Sequence, residues 1–460
     1  MNKAINLDNF FLGGIADSKY TGIANSLASI RGFNLHQEPG ILKVNQKLVK
    51  ESGSTVDDAV SIILPCSDGK SYLFGKTAGK IWSRTTGGTY TLEATNANGA
   101  TLNAAESDGY LYYASATRLG RWQIGSAWAT RNDSFATFTN GNTSYHPMKV
   151  KNLVLYIGDG YLIAQVDAGV FVANALDLEK KFVVKSLGEA GNDLLIGTTI
   201  QDSVNECKVF RWNTYSVSFT NDDLVPENGI NCFIPMDNMV IAQAGNRGNI
   251  YTYNGEQFVQ FKRMAGNWTN TNTMIVHSEA RSMYQGLPLF GVSNGSGNPI
   301  NQGVYSFGSY ANNYPRILNL EYVISQDKVS DIEVTAIAVV GGDVLVAWKD
   351  GSTYGVDKVD WANKYASAAL ETRILNTDRI FNKDFEVRIG YRLKPANTNI
   401  SLEANINNAG YTAVTLYDDS TRLQMRSVTK ISNALSVQFR LTCTVDGNNA
   451  PEIENILLNY

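Results

Sequence analysis

The stretch GGDVLVAWKDGSTYGVD, residues 341–357, is a hydrophobic strand, a Lys-Asp-Gly turn and a second strand with an aromatic near its start. The same hairpin is written earlier as SDGKSYLFGKTAGKIW (67–82) and ESDGYLYYASATRLGRW (106–122). Apolar strand centres of this kind recur at SYLFG (71–75), YLYYA (110–114), LVLYIG (153–158), DLLIG (193–197), MVIAQ (239–243), LPLFG (287–291) and VLVAW (344–348). Their period is about 40–55 residues, within or just above that of a four-stranded propeller blade.

A partner strand follows each centre: KIWS (80–83), RLGRWQI (118–124), YLIAQV (161–166), KVFRW (208–212), IYTYN (250–254), GVYSF (303–307) and STYGV (352–356). Flanking strands complete the unit. AVSIILPC (59–66) and TYTLEA (89–94) bracket the first pair, and INCFIP (230–235) and QFVQFK (257–262) bracket the fifth. Four strands in meander order, joined by Gly, Asp and Asn turns, make a blade. One such sheet has two apolar faces and is stable only between neighbours, which a closed ring supplies. Gly or Ala ends most of the centres, letting strands crowd near the axis. Trp82, Trp122 and Trp212, all in third strands, read as core between blades rather than as ligand-stacking surfaces. The expectation is an all-β chain built on a β-propeller of about seven blades. The irregular third and last units leave six and eight as neighbouring counts. A series of separate β-sandwiches would also give regularly spaced strands, but the even repeat of a strand pair favours the propeller.

Both ends depart from the repeat. Residues 1–52 hold a candidate short helix (24–30), several Gly turns and a strand, GILKVNQKLV (40–49), that would close the ring by completing the last blade. From about Asn376, the segments KDFEVRIGYRL, NISLEANINN, YTAVTLYDD, RLQMRSV and LSVQFRLTCTV alternate apolar and polar residues, and EIENILLNY ends the chain. These read as a C-terminal β-sandwich. The expected division is an N-terminal arm and closing strand (1–52), a β-propeller (53–375) and a β-sandwich (376–460). Composition agrees: charged residues are 18%, while Gly (40) and Tyr (23), turn and strand formers, are abundant.

The sequence excludes more chemistry than it suggests. Net charge is −4 with no Lys/Arg run longer than two, which argues against a nucleic-acid footprint. No apolar stretch approaches the ~18 residues of a membrane span, so no membrane insertion is expected. MNKAINLDNFFLGGIADSKY has no signal-peptide core, pointing to synthesis in a cytoplasm. Sequons at Asn132, Asn142, Asn267, Asn294 and Asn399 carry little weight in that setting. Cys66, Cys207, Cys232 and Cys443 form no CxxC pair and read as small buried hydrophobes. His36, His146 and His277 lack metal spacing and read as structural. Asp222, Asp223, Asp418, Asp419 and Asp446 sit in loops without the spacing of a calcium loop. There is no GxSxG elbow, P-loop, HExxH or dinucleotide fingerprint. SDGKSYLF and KDGSTYGV do not match the Asp boxes of sialidases, so their Asp-Gly pairs read as hairpin turns. No catalytic, cofactor-binding or metal-binding residue is assigned, and the expectation is a protein that is not an enzyme.

The N-terminal stretch NFFLGGIADSKYTGIANSLASIRGFNLHQEPGILK resembles the opening of a widespread group of tailed-bacteriophage structural proteins. KDGSTYGVDK (349–358), ALETRILNTDR (369–379) and SVQFRLTCTVDGNNAPEIENILLNY (436–460) look like their shared C-terminal half. The resemblance implies a virion protein with a propeller and a β-sandwich in the tail or head–tail region, similar in architecture to the nozzle proteins of short-tailed phages. It implies no active site. Its partners would be other virion proteins and copies of itself in a symmetric ring, with DNA passing but not specifically bound. A receptor- or glycan-binding propeller of a tail fibre, contacting host-surface glycan, is the second expectation, and a propeller glycosidase or lyase the third. The N-terminal segment and the C-terminal unit are the expected interaction surfaces, because the repeats need neither for their own cores.

Overall fold

The structure, a computed structural model, describes residues 4–20, 25–200, 205–236, 239–264, 273–294, 302–309, 311, 314–326, 332–376 and 383–459. Ala24, Asn267, residues 377–379 and Tyr460, which the sequence reading touched, lie outside them.

Among the described residues seven sheets of four or five strands follow in chain order. The first is a meander of Val60–Pro65, Ser71–Gly75, Lys80–Arg84 and Tyr90–Thr95. Sheets two to five repeat this order over 103–137, 148–177, 182–225 and 230–263. The sixth spans 274–322, where Met274–Ile275 and Arg281–Tyr284 both pair with Leu287–Asn294. The seventh takes Ile332–Val340, Asp343–Asp350 and Thr353–Lys364 from one end of the chain and Gln46–Lys50 from the other. The leading strand of each sheet packs on that of the next, and Ile332–Val340 packs back on Val60–Pro65. The sheets therefore close into a ring, a β-propeller.

The small residue at the end of the second strand has a direct cause. A Cβ on Gly197 would lie 2.7 Å from Ile230 Cβ, and one on Gly291 would lie 2.4 Å from Val334 Cγ1. Ile230 and Val334 belong to the leading strand of the following sheet. Trp82, Trp122 and Trp212 are at most 2% exposed. Trp82 packs with Ala336 and Leu345 of the seventh sheet, Trp122 with Tyr72 and Phe74 of the first, and Trp212 with Tyr156 and Ile163 of the third. At the Asp108–Gly109 turn both residues have positive φ (49 and 73), the conformation of a two-residue hairpin.

Two larger sheets lie beside the ring. One joins Lys383–Leu393, Leu416–Asp419, Gln424–Ser427, Ile431–Ala434 and Glu452–Asn459 to Ala4–Leu7, Phe33–Asn34 and Leu42–Val44. The other joins Asn399–Ile406, Tyr411–Val414 and Ser436–Thr444 to Leu27–Arg31, Ser367–Thr372 and Leu375–Asn376. Their inner faces share a core, with the Phe385 and Phe439 rings 6.2 Å apart. That core runs on into the fifth and sixth sheets through Phe10, Ile15, Ile241, Tyr305 and Leu318.

Four expectations need correction. Residues 27–30 of the candidate helix lie in a strand, Leu27–Arg31, because pairing with Ser367–Thr372 and burial of Leu27 and Ile30 override local preference; the short helix is Phe10–Gly13. A boundary at 376 falls too late, since Ser367–Thr372 pairs with Ser436–Thr444 in a C-terminal sheet. Residues 1–52 are not a separate arm. They supply strands to both larger sheets before Gln46–Lys50 enters the seventh. YTAVTLYDD is two strands, one in each larger sheet.

Ring closure is pinned just beyond Gln46–Lys50. The Glu51 backbone N–H donates to Val356 O (2.9 Å), while its carboxylate accepts from Arg84 Nε (2.6 Å) and Nη2 (2.8 Å) and from Tyr90 Oη (2.9 Å) in the first sheet. Burial alone would raise the Glu51 pKa, but the Arg84 and Tyr90 hydrogen bonds outweigh it and hold the group below the ordinary carboxylate value. Arg84 is 1% exposed. Glu51→Ala leaves that guanidinium buried and unpaired, and we expect a loss of about 3–5 kcal/mol in denaturant unfolding. The pair stabilises the fold fully above the unfolded Glu pKa of about 4.3 and loses its contribution as pH falls through the lowered folded value. The stability gap between wild type and Glu51→Ala should therefore narrow in acid; a gap independent of pH would contradict the assignment. Gly291→Val should cost about 1–3 kcal/mol by overpacking, read as a lower melting temperature.

Candidate functional site

Residues at or near the starts of six leading strands converge on the ring axis. Ser61, Leu102, Tyr145, Lys185, Asn231 and His277 line a small cavity of about 60 Å³ there. Ser144, Tyr145 and Lys185 also line a neighbouring cleft of about 660 Å³, bounded by the second and fourth sheets and the loop 140–145.

Lys185 sits where the two spaces meet. Its Nζ donates to Asn231 Oδ1 (2.6 Å) and lies 5.4 Å from the centre of the Tyr145 ring. Asn231 Nδ2 donates to Gly245 O (2.7 Å), so the amide is oriented with its oxygen toward the lysine. Among the described residues no carboxylate acts on this ammonium, and the protein walls around it push its pKa down to about 8. The side chain is largely enclosed but keeps some exposure to the open space. Asn142 Oδ1 accepts from the backbone N–H groups of Ser144 and Tyr145 (2.7 and 2.9 Å), which fixes the loop that presents the tyrosine.

His277 lines the same cavity. Its Nε2 is 3.0 Å from Glu333 Oε2 and its Nδ1 is 3.5 Å from Lys76 Nζ. Lys76 can only donate, so Nδ1 accepts and Nε2–H donates to Glu333: the neutral tautomer satisfies both contacts. Burial lowers the His277 pKa, opposed by Glu333 and helped by Lys76 and Lys349. Glu333 is held at about 2 by His277, with Lys349 adding to the effect. The cavity and cleft are thus lined by two lysines, a histidine, hydroxyls and amides, and Glu333 at the margin is engaged by His277 and Lys349.

The other residues singled out in the sequence lie elsewhere. His36 hydrogen-bonds Ser306 Oγ (3.2 Å) and Gly308 O (3.3 Å), tying the N-terminal segment to the sixth sheet. His146 is 1% exposed, between Gly158 O (2.7 Å) and Ala116 O (3.1 Å), and burial lowers its pKa. Asp222 pairs with Lys208 (2.7 Å), Asp418 with Lys394 (2.9 Å), Asp419 accepts from Thr421 (2.7 Å), and Asp446 accepts from Asn397 (3.4 Å). Asp223 lies 3.8 Å from Arg211. Among the described residues no group of three His, Cys, Asp or Glu could hold a metal ion, and no helix is long and apolar enough to cross a membrane. The four cysteines are unpaired; Cys207, Cys232 and Cys443 are buried, and Cys66 is half-buried.

Sequence reasoning missed Lys76, Tyr145 and Lys185. The signal available was a single lysine inside the leading strand FVVKSLG of the fourth sheet, and strand alternation alone does not say which such position faces the axis.

No protein-family model matches the chain, and no curated protein matches it. Solved structures do. A streptogramin B lyase is 12% identical, with a TM-score of 0.50 over 69% of this chain and 98% of its own. The Dos1 propeller is 11% identical over 68% and 94%, with a TM-score of 0.44. The Neurospora crassa Pan2 WD40 domain is 10% identical over 70% and 97%, with a TM-score of 0.43. At such identities the likeness to the lyase concerns the fold alone: an all-β chain containing a β-propeller.

The axial cluster makes a separable prediction. Glu333→Gln should lower the His277 pKa further, and Lys76→Met should raise it, in a proton NMR titration of the imidazole C–H resonances. A His277 pKa that rises in Glu333→Gln would contradict the His277–Glu333 contact.

Proposed function

We propose that this protein is a non-enzymatic structural component of a tailed-phage virion, in the tail or head–tail region, acting through contacts with neighbouring subunits. The proposed architecture is a seven-bladed β-propeller carrying a C-terminal β-sandwich. One observation carries the reading. Three of the four segments that resemble phage structural proteins are mutual β-partners, although they are scattered over the chain, and the fourth takes the strand that follows the first. Leu27–Arg31 pairs with Ser367–Thr372, which pairs with Ser436–Thr444. Glu452–Asn459 pairs with Leu42–Val44, and Thr353–Lys364 takes the strand that follows, Gln46–Lys50. The resembling segments meet where the ring joins the two larger sheets, which supports a mechanical role. Outer strands also carry exposed apolar side chains suited to subunit contacts, among them Val170, Leu224, Val259 and Phe261.

A glycan- or receptor-binding propeller is the second reading. It is favoured by Tyr145, half-exposed at one end of the axis among Asn142, Ser144 and Asn228.

Mass spectrometry of purified particles tests the main reading. The chain should be present at a fixed stoichiometry to the tail proteins, and cryo-electron microscopy should place it in a symmetric ring. Its absence from intact particles would overturn the proposal.

A further inference from the structure

We infer that the axial cavity and its adjoining cleft form a binding site for a carboxylate-bearing saccharide, with Lys185 as the anion anchor and Tyr145 as the ring platform. The inference does not rest on a place in a virion, and its assay uses no particles.

Three features converge on this ligand class. Lys185 presents an ammonium to the space without an acidic partner among the described residues. A buried-walled cation left in that state is electrostatically incomplete, and an incoming carboxylate supplies both the missing charge and hydrogen-bond acceptors. Tyr145 lies directly beside it, so an anion on Lys185 places the body of its carrier against an aromatic face, the arrangement that suits the C–H face of a sugar ring.

The remaining walls decide between a saccharide and an apolar acid. The cleft is lined chiefly by amides and hydroxyls, among them Asn142, Thr143, Ser144, Thr199 and Asn228. Asn142 spends its oxygen on the loop backbone, so its amide N–H groups remain for a ligand acceptor. An apolar acid would leave these groups unpaired on binding, whereas a polyhydroxylated ring can exchange hydrogen bonds with them. The volume of about 660 Å³ lies within the range of small-molecule sites.

The charge balance sets the sign of selectivity. Lys76 and His277 line the same cavity as Lys185, and Glu333 is already engaged by His277 and Lys349. An anion enters a space with a net positive lining, while a cationic or amino sugar does not.

The test is calorimetric titration of the full chain with sialyllactose and with trigalacturonate, each against its neutral counterpart, lactose and maltotriose. At least one acidic sugar should bind about tenfold or more tightly than its neutral partner, the effect of one charge-assisted hydrogen bond. Lys185→Met should abolish that preference, and Tyr145→Ala should weaken binding of the same sugar. Lys208→Met, which removes a lysine paired with Asp222 away from the cleft, should leave it unchanged. Lys185→Met removes a hydrogen bond to Asn231, so its melting transition is measured beside the titration, and Lys185→Arg, which keeps charge and donors, should retain the preference; together they separate lost binding from lost folding. Equal affinity for acidic and neutral sugars, or full binding by Lys185→Met, overturns the inference. Inorganic phosphate competing as tightly as the acidic sugar overturns the saccharide assignment, since it would show an anion hole without a ring platform.

Discussion

The antiparallel pairing of Gln46–Lys50 with Thr353–Lys364 is the contact on which the ring depends. No sheet of a propeller is stable alone; each buries its faces only against its neighbours. An open ring would expose a face of the first sheet and a face of the seventh, and the apolar cluster around Trp82 would meet water. Closing the seventh sheet with a strand from the other end of the chain converts a row of packed sheets into a circle. The Glu51–Arg84 ion pair then ties the closed sheet to the first, across the seam.

Buried carboxylates do similar work inside the ring. Asp58 accepts from the backbone N–H groups of Ala59 (2.7 Å) and Ala78 (2.7 Å). Asp159 accepts from those of Thr139, Asn140 and Gly141. Asp357 accepts from Ser325 N–H and from Trp348 Nε1–H. Each such group would be costly if left unsatisfied, and here each is met by donors from a connecting loop or a neighbouring strand. The loops that lead from one sheet to the next are thereby held in place. The axial cleft inherits this order, because residues 140–145 lie between the Asp159 donors and Lys185.

Much of the fold was legible in the sequence. Hairpins at SYLFG/KIWS or DLLIG/KVFRW announce themselves because a buried strand alternates poorly and its turns need Gly or Asp. The Gly at the end of the second strand was readable as crowding, and the structure names its cause in Ile230 and Val334. What was not legible is what depends on distant partners. Leu27–Arg31 has no strong strand pattern and becomes a strand through Ser367–Thr372, some 340 residues away. The domain limits failed for the same reason, since a contiguous reading cannot see strands from residues 4–44 entering sheets built mainly after 367. Lys185 was invisible as a site because the register of one strand to the ring axis is set by the ring as a whole.

The pairing of Ala4–Leu7 with Glu452–Asn459 sets an order of events during synthesis. At about 5–20 residues per second, a ribosome needs tens of seconds to pass from the first of these strands to the second. Throughout that time the leading segment has no native partner, and Gln46–Lys50 waits nearly as long for residues 353–364. The repeats can stack as they emerge, but neither the seam nor the larger sheets can form until the far end of the chain arrives. A prematurely terminated chain therefore carries several unpaired edges and is marked as unfinished by its own geometry. Closure acts as a length check that only a copy translated past residue 459 passes.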